Sequence, residues 1–204
     1  MLVTFIEKPC EAIAASSTVS NMKKDKGIKW LTGNMCFYVT TLYCMDDYKK
    51  NKKVAIKMDV PHKFDIAGTL ADCKYNKINY EDQLEDFSGG RVLARLDMNF
   101  TSKLYKKLFR TKLVRPKLKK NSASLVCIDG MYYASLGDFG LAGPAYRIEK
   151  ITKKGRGSYL INAKNLLRGE GKTLAVGTTW ITVKKDKKAS YGYKIVKCSY
   201  KIIM

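Results

Sequence analysis

A chain of 204 residues with 46% hydrophobic side chains is long and apolar enough to build one domain around a core, which excludes a wholly disordered polymer. Lysine and arginine outnumber aspartate and glutamate 39 to 18, a formal charge of +21, so the surface calls for polyanionic partners such as nucleic acid or anionic lipid. His62 is the only histidine, which removes the paired imidazoles of most zinc sites and the proton relay of catalytic triads, and no metal or cofactor is expected.

In chain order, residues 1–9 carry Glu7 and no basic leader, so no secretory signal is expected, and no apolar run approaches the roughly 18 residues of a membrane-spanning helix. A helical segment is predicted over 10–15. The small, polar stretch 16–26 reads as a mobile linker, which makes 1–26 an N-terminal arm and 27–204 a single globular domain. Runs of β-branched and aromatic residues predict strands over 35–42, 54–60, 91–98, 125–128, 159–161, 174–183 and 191–203. Helices are predicted over the acidic stretch 80–87, over 102–110 and over 163–168. The expected class is α+β and β-rich, mainly antiparallel sheet or sandwich with a few short helices.

Charge is segregated along the chain. Residues 1–68 hold 11 basic and 7 acidic side chains, residues 69–100 hold 4 and 6, and residues 101–204 hold 24 and 5, so the last half alone carries +19. Such concentration points to a directed basic surface. Its densest part contains Lys103, Lys106, Lys107, Arg110, Lys112, Arg115, Lys117, Lys119 and Lys120 without an acid among them. Phe100, Leu104 and Leu108 recur every four residues, so a helix gathers them on one face and turns Lys103, Lys106, Lys107 and Arg110 outward. Pro116 makes the remainder an extended arm. Tyr105 and Phe109, interleaved with the cations, are candidate base-stacking rings, with core anchoring as the alternative. Lys184, Lys185, Lys187 and Lys188 read as the tip of a β-hairpin that either meets phosphates or protects a sheet edge. Lys150, Lys153, Lys154 and Arg156 form a third cluster, where Gly155 and Gly157 allow a turn or a close approach of backbone to phosphate.

Six cysteines are widely scattered and without metal-knuckle spacing, which suits free thiols in a reducing compartment. Asn99-Phe100-Thr101 matches a glycosylation sequon, for which no secretory route is expected. Glu81, Asp82, Glu85 and Asp86 would share a helix face, either solvated or docking on the basic surface of a second copy, a route to self-association. Val54-Ala55-Ile56-Lys57 and Asp138-Phe139-Gly140 resemble protein-kinase fragments, but the chain lacks the His-Arg-Asp catalytic loop and the room for the helical lobe, so no kinase activity is expected. Gly89-Gly90-Arg91-Val92-Leu93-Ala94-Arg95-Leu96-Asp97, a double glycine and a strand ending in aspartate, is similar to the signature of the thirty-kilodalton superfamily of plant virus movement proteins. That resemblance implies binding of single-stranded nucleic acid and association with membranes. Asp97 has an ordinary alternative as a turn residue at the strand end.

The expected function is therefore non-enzymatic, sequence-nonspecific nucleic-acid binding with single-stranded RNA preferred, in a structural protein that resembles the matrix, movement or coat proteins of RNA viruses. A matrix-type alternative applies the same basic face to an anionic membrane surface and self-assembles into homo-oligomers. An interaction-module alternative binds a protein through exposed strand edges. The expected location is intracellular, in the cytoplasm or nucleus of a host cell, or in a virion.

Overall fold

Ile28, Leu31, Met35 and Val39 recur at helical spacing, and all four are fully buried on one side of helix α1 (Lys26–Cys44). The computed structural model that shows this describes residues 21–44, 51–86, 91–116, 125–135, 143–169 and 171–203, with backbone alone at 80–86, 91 and 135. The strand expected over 35–42 is thus the second half of a helix. Its β-branched residues are accommodated because the Thr40 and Thr41 hydroxyls donate to the carbonyls of Cys36 and Phe37 at 2.9 and 3.1 Å, while the apolar stripe packs on a sheet. Residues 21–24 are also helical, Met22 belongs to the core, and Asp25 caps α1 by accepting from the Ile28 amide at 3.0 Å. The mobile linker expected over 16–26 is corrected accordingly from residue 21 onward. The helix expected over 10–15 lies outside the described residues.

Strand β1 (Val54–Ile56) is followed by α2 (Val60–Thr69), so the strand expected over 54–60 is cut short. Asp59 accepts from the His62 amide at 3.1 Å and Pro61 stands in the first turn, a start signal that overrides the β-branched run. The lone histidine serves this cap, its Nδ1 lying 2.5 Å from Asp59 Oδ1. A π-helical turn, Leu70–Lys74, leads to β2 (Ile78–Asp86) and β3 (Arg91–Leu96). Residues 80–86 of the acidic helix expected over 80–87 are therefore strand, paired residue by residue with β3 from Gln83 opposite Ala94 to Asp86 opposite Arg91, and residue 87 lies outside the described residues. Cross-strand pairing prevails over helical spacing here.

Asp97 caps α3 (Met98–Phe109), its Oδ1 accepting from the Phe100 amide at 2.9 Å, which gives the aspartate at the end of β3 a structural role. Strands β4 (Leu125–Ile128) and β5 (Met131–Ser135) complete a four-stranded antiparallel sheet of order β2-β3-β5-β4. Strands β6 (Gly143–Gly155), β7 (Ser158–Gly169), β8 (Lys172–Lys185) and β9 (Tyr193–Ile202) join β1 in a five-stranded antiparallel sheet of order β1-β9-β8-β7-β6. The helix expected over 163–168 is the second half of β7, a strand with a partner on each side. The fold is thus α+β with two antiparallel sheets and few helices.

Helices α1 and α3 cover one face of the larger sheet. Ile161, Ile181, Val183 and Ile202 on that face are fully buried against Ile28, Leu31, Met35, Leu104 and Leu108, each contributing roughly 1.5–3 kcal/mol. A second cluster, Phe64, Ala71, Leu96, Leu125, Tyr132 and Ala134, joins α2 to the smaller sheet. The two clusters meet at Phe100 and Leu113.

In the π-helical turn, burial raises the Asp72 carboxyl from 3.8 to about 6, although the Cys73 thiol donates to it at 3.4 Å. Between those values the folded chain retains a proton that the unfolded chain has lost, so stability falls as pH rises through the window and the whole cost is present above it. Asp72→Asn should therefore raise the melting temperature by a few degrees at pH 7.5 and make little difference near pH 4. A gain of equal size at both pH values would show that burial of the charge is not its source.

Candidate polyanion-binding surface

Side chains of a strand alternate between the two faces of its sheet, so the residues between the buried positions share the other face. In the larger sheet, registered pairing places Ala55, Ser199, Trp180, Asn162 and Lys150 in one row across all five strands. A second row holds Lys201, Thr178, Lys164 and Arg147, a third holds Lys197, Thr182, Leu160 and Thr152, and a fourth pairs Lys194 with Lys184. Lys53 reaches the same face, its Nζ 4.4 Å from the Trp180 ring centroid.

Eight cations therefore share this face: Lys53, Arg147, Lys150, Lys164, Lys184, Lys194, Lys197 and Lys201. Among the described residues, the helices pack on the opposite face. Glu149 offsets part of the charge by pairing with Arg147 at 3.3 Å. Lys164 faces Arg147 and Lys184 faces Lys194 directly across strand pairs, where like charges are destabilising. An anion placed over the sheet would relieve both pairs.

The basic clusters expected from sequence lie in three settings. Lys153, Lys154 and Arg156 are exposed at the β6–β7 turn, and Lys184, Lys185, Lys187 and Lys188 are exposed at the β8–β9 turn. The Lys185 amide donates to the Gly157 carbonyl at 2.7 Å, which joins the two turns at one end of the larger sheet. Gly155 and Gly157 have φ of 140° and 71°, so this turn draws on glycine's conformational freedom. Asp186 orders the β8–β9 turn: Arg110 Nε lies 3.6 Å and Lys194 Nζ 3.8 Å from its Oδ2, and its Oδ1 accepts from the Lys188 amide at 3.0 Å. Arg110 is half-buried and links α3 to this end of the sheet.

Lys103, Lys106 and Lys107 are exposed on the outer side of α3, across the sheet from the open face. Tyr105 and Phe109 point inward, with exposures of 1% and 4%, so the base-stacking role is corrected to core anchoring. Lys112 and Arg115 are exposed, and Arg115 lines a separate depression of about 710 Å³ with Lys77, Arg95 and Asp97. Lys117, Lys119, Lys120 and Asp138 lie outside the described residues, as do the side chains of Glu81, Asp82, Glu85 and Asp86. Lys57 is exposed just beyond β1.

Sequence reasoning missed Lys53, Arg147, Lys164, Lys194, Lys197, Lys201 and Trp180. The signal was alternation: Lys197, Ser199 and Lys201 interleave with the buried Cys198, Tyr200 and Ile202. Five cysteines are free among the described residues, and burial pushes the Cys36 thiol up to about 12, which makes it a poor nucleophile. No cluster of three His, Cys, Asp or Glu side chains suited to a metal ion occurs among the described residues. No described helix is long and apolar enough to cross a membrane. No protein-family model, curated protein or solved structure matches the chain.

Proposed function

We propose that the open face of the five-stranded sheet, together with the cationic end formed by the β6–β7 and β8–β9 turns, binds nucleic acid by neutralising phosphates without reading sequence. Single-stranded RNA is the favoured ligand, and the role is structural rather than enzymatic, as in the matrix, movement or coat proteins of RNA viruses. The observation that carries the reading is the gathering of eight cations on one face, seven from strands β6–β9 and Lys53 from the segment just before β1. At roughly 3.3 Å per residue, β8 alone offers a track of about 45 Å along which a strand of phosphates can lie.

Fluorescence anisotropy with a labelled single-stranded RNA at several salt concentrations tests the reading. Submicromolar binding at low salt is expected, with a log–log salt slope of about −4 if six phosphates are neutralised, since each contributes about −0.7 on a single strand. Absence of binding even at low salt would overturn the proposal, and selective binding to anionic vesicles would assign the same cations to lipid.

A further inference from the structure

Trp180 stands in the middle strand of the five-stranded sheet, on the face that carries the cations. Beside it runs a groove of about 660 Å³, with Met58, Leu160 and Val196 along its apolar part and Lys53 and Lys197 among its lining residues. Grooves of this size suit a small, flat, mostly apolar group held by a few polar contacts. The Lys53 ammonium lies over the indole in a cation–π contact, and Lys53 is exposed, so a competing flat ring can displace it at little expense.

We infer that the Trp180 groove is a stacking subsite for one unpaired nucleobase of a bound single strand, with Lys53 and Lys197 taking the phosphates on either side of that base. The inference rests on the proposed function and adds a selectivity that phosphate neutralisation alone does not provide. In a duplex each base is stacked on its neighbours and paired at its edge, so entering the groove requires flipping it out. In a single strand the base is already available, and indole stacking tolerates all four bases because each has a π face. Trp30, the other tryptophan, stacks on Tyr191 with ring centroids 4.5 Å apart, and α1, which bears it, packs on the covered face of the sheet.

The experiment compares three labelled probes of equal phosphate number: a single-stranded oligouridylate, a fully abasic oligomer and an RNA duplex. Each is titrated into the full chain and into Trp180→Leu and Trp180→Phe variants, with circular dichroism confirming that both fold. The wild type is expected to bind oligouridylate about tenfold more tightly than the abasic strand, with quenching of tryptophan fluorescence. Trp180→Leu should bind both single strands equally, at the wild-type affinity for the abasic one. Trp180→Phe should keep most of the preference, since it keeps a ring, and lose most of the quenching. Equal affinity of the wild type for the base-bearing and abasic strands, or a preference that survives Trp180→Leu, would overturn the stacking subsite and leave phosphate binding standing. Failure of the wild type to bind any of the probes would overturn both.

Discussion

Combined Lys164→Glu, Lys197→Glu and Lys201→Glu substitution is expected to weaken single-stranded RNA binding by about a hundredfold or more at moderate salt, and to lower the salt slope by about 2. The slope follows from counterion release: each cation that no longer meets a phosphate removes about 0.7 from it. Reversal has a larger effect than neutralisation because each glutamate also repels the strand. These three side chains lie on the open face, in register with Thr178, Thr182 and their neighbours, so the substitutions leave the apolar core intact. Lys103→Glu, Lys106→Glu and Lys107→Glu on the outer side of α3 provide the contrast. They change the net charge by the same amount, and a change of about threefold or less is expected from them because they lie across the sheet from the proposed interface. Equal losses in the two variants would mean that overall charge governs binding. A larger loss from the α3 variant would move the interface to the helical side.

The contrast between those variants also marks what was legible in the sequence. The hairpin around Lys184–Lys188 was readable because turn residues separate two β-branched runs, and β8 and β9 pair antiparallel about it. The outward cations and inward apolar stripe of α3 were readable from the recurrence of Phe100, Leu104 and Leu108. Adjacent charges in the sequence mark 103–120, whereas the eight cations on one face stand singly in β7 and β8 and three or four residues apart in β6 and β9, and are joined only by strand order. Parity within one strand can be read from the chain, as with Lys197, Ser199 and Lys201. Which strands stand side by side, and so whether Lys164, Lys201 and Arg147 share a row, depends on tertiary pairing between distant segments. The same limit explains α1 and β2. Local composition favours strand over 35–42 and helix over 80–87, and the sheet surface under the first and the partner strand beside the second reverse both preferences.

Tyr105→Ala is expected to destabilise the fold by about 3–5 kcal/mol, the usual cost of removing a large buried ring, and to lower the melting temperature by roughly 10 °C. Tyr105 is 1% exposed and meets the Phe109 ring edge-on at 5.3 Å. Both rings sit between α3 and the covered face of the larger sheet, in the same cluster as Tyr159, Tyr193 and Ile195. Deleting one ring leaves a void bordered by side chains already fixed by neighbouring strands, so collapse can recover only part of the loss. Tyr105→Phe keeps the ring and should cost about 1 kcal/mol or less. Thermal melting of the three proteins, followed by RNA titration well below their transitions, separates core anchoring from stacking. Core anchoring predicts a large fall in melting temperature for Tyr105→Ala with unchanged affinity in the folded protein. An unchanged melting temperature with weakened RNA binding would place this ring on the nucleic acid and overturn the assignment of α3 to the core side of the sheet.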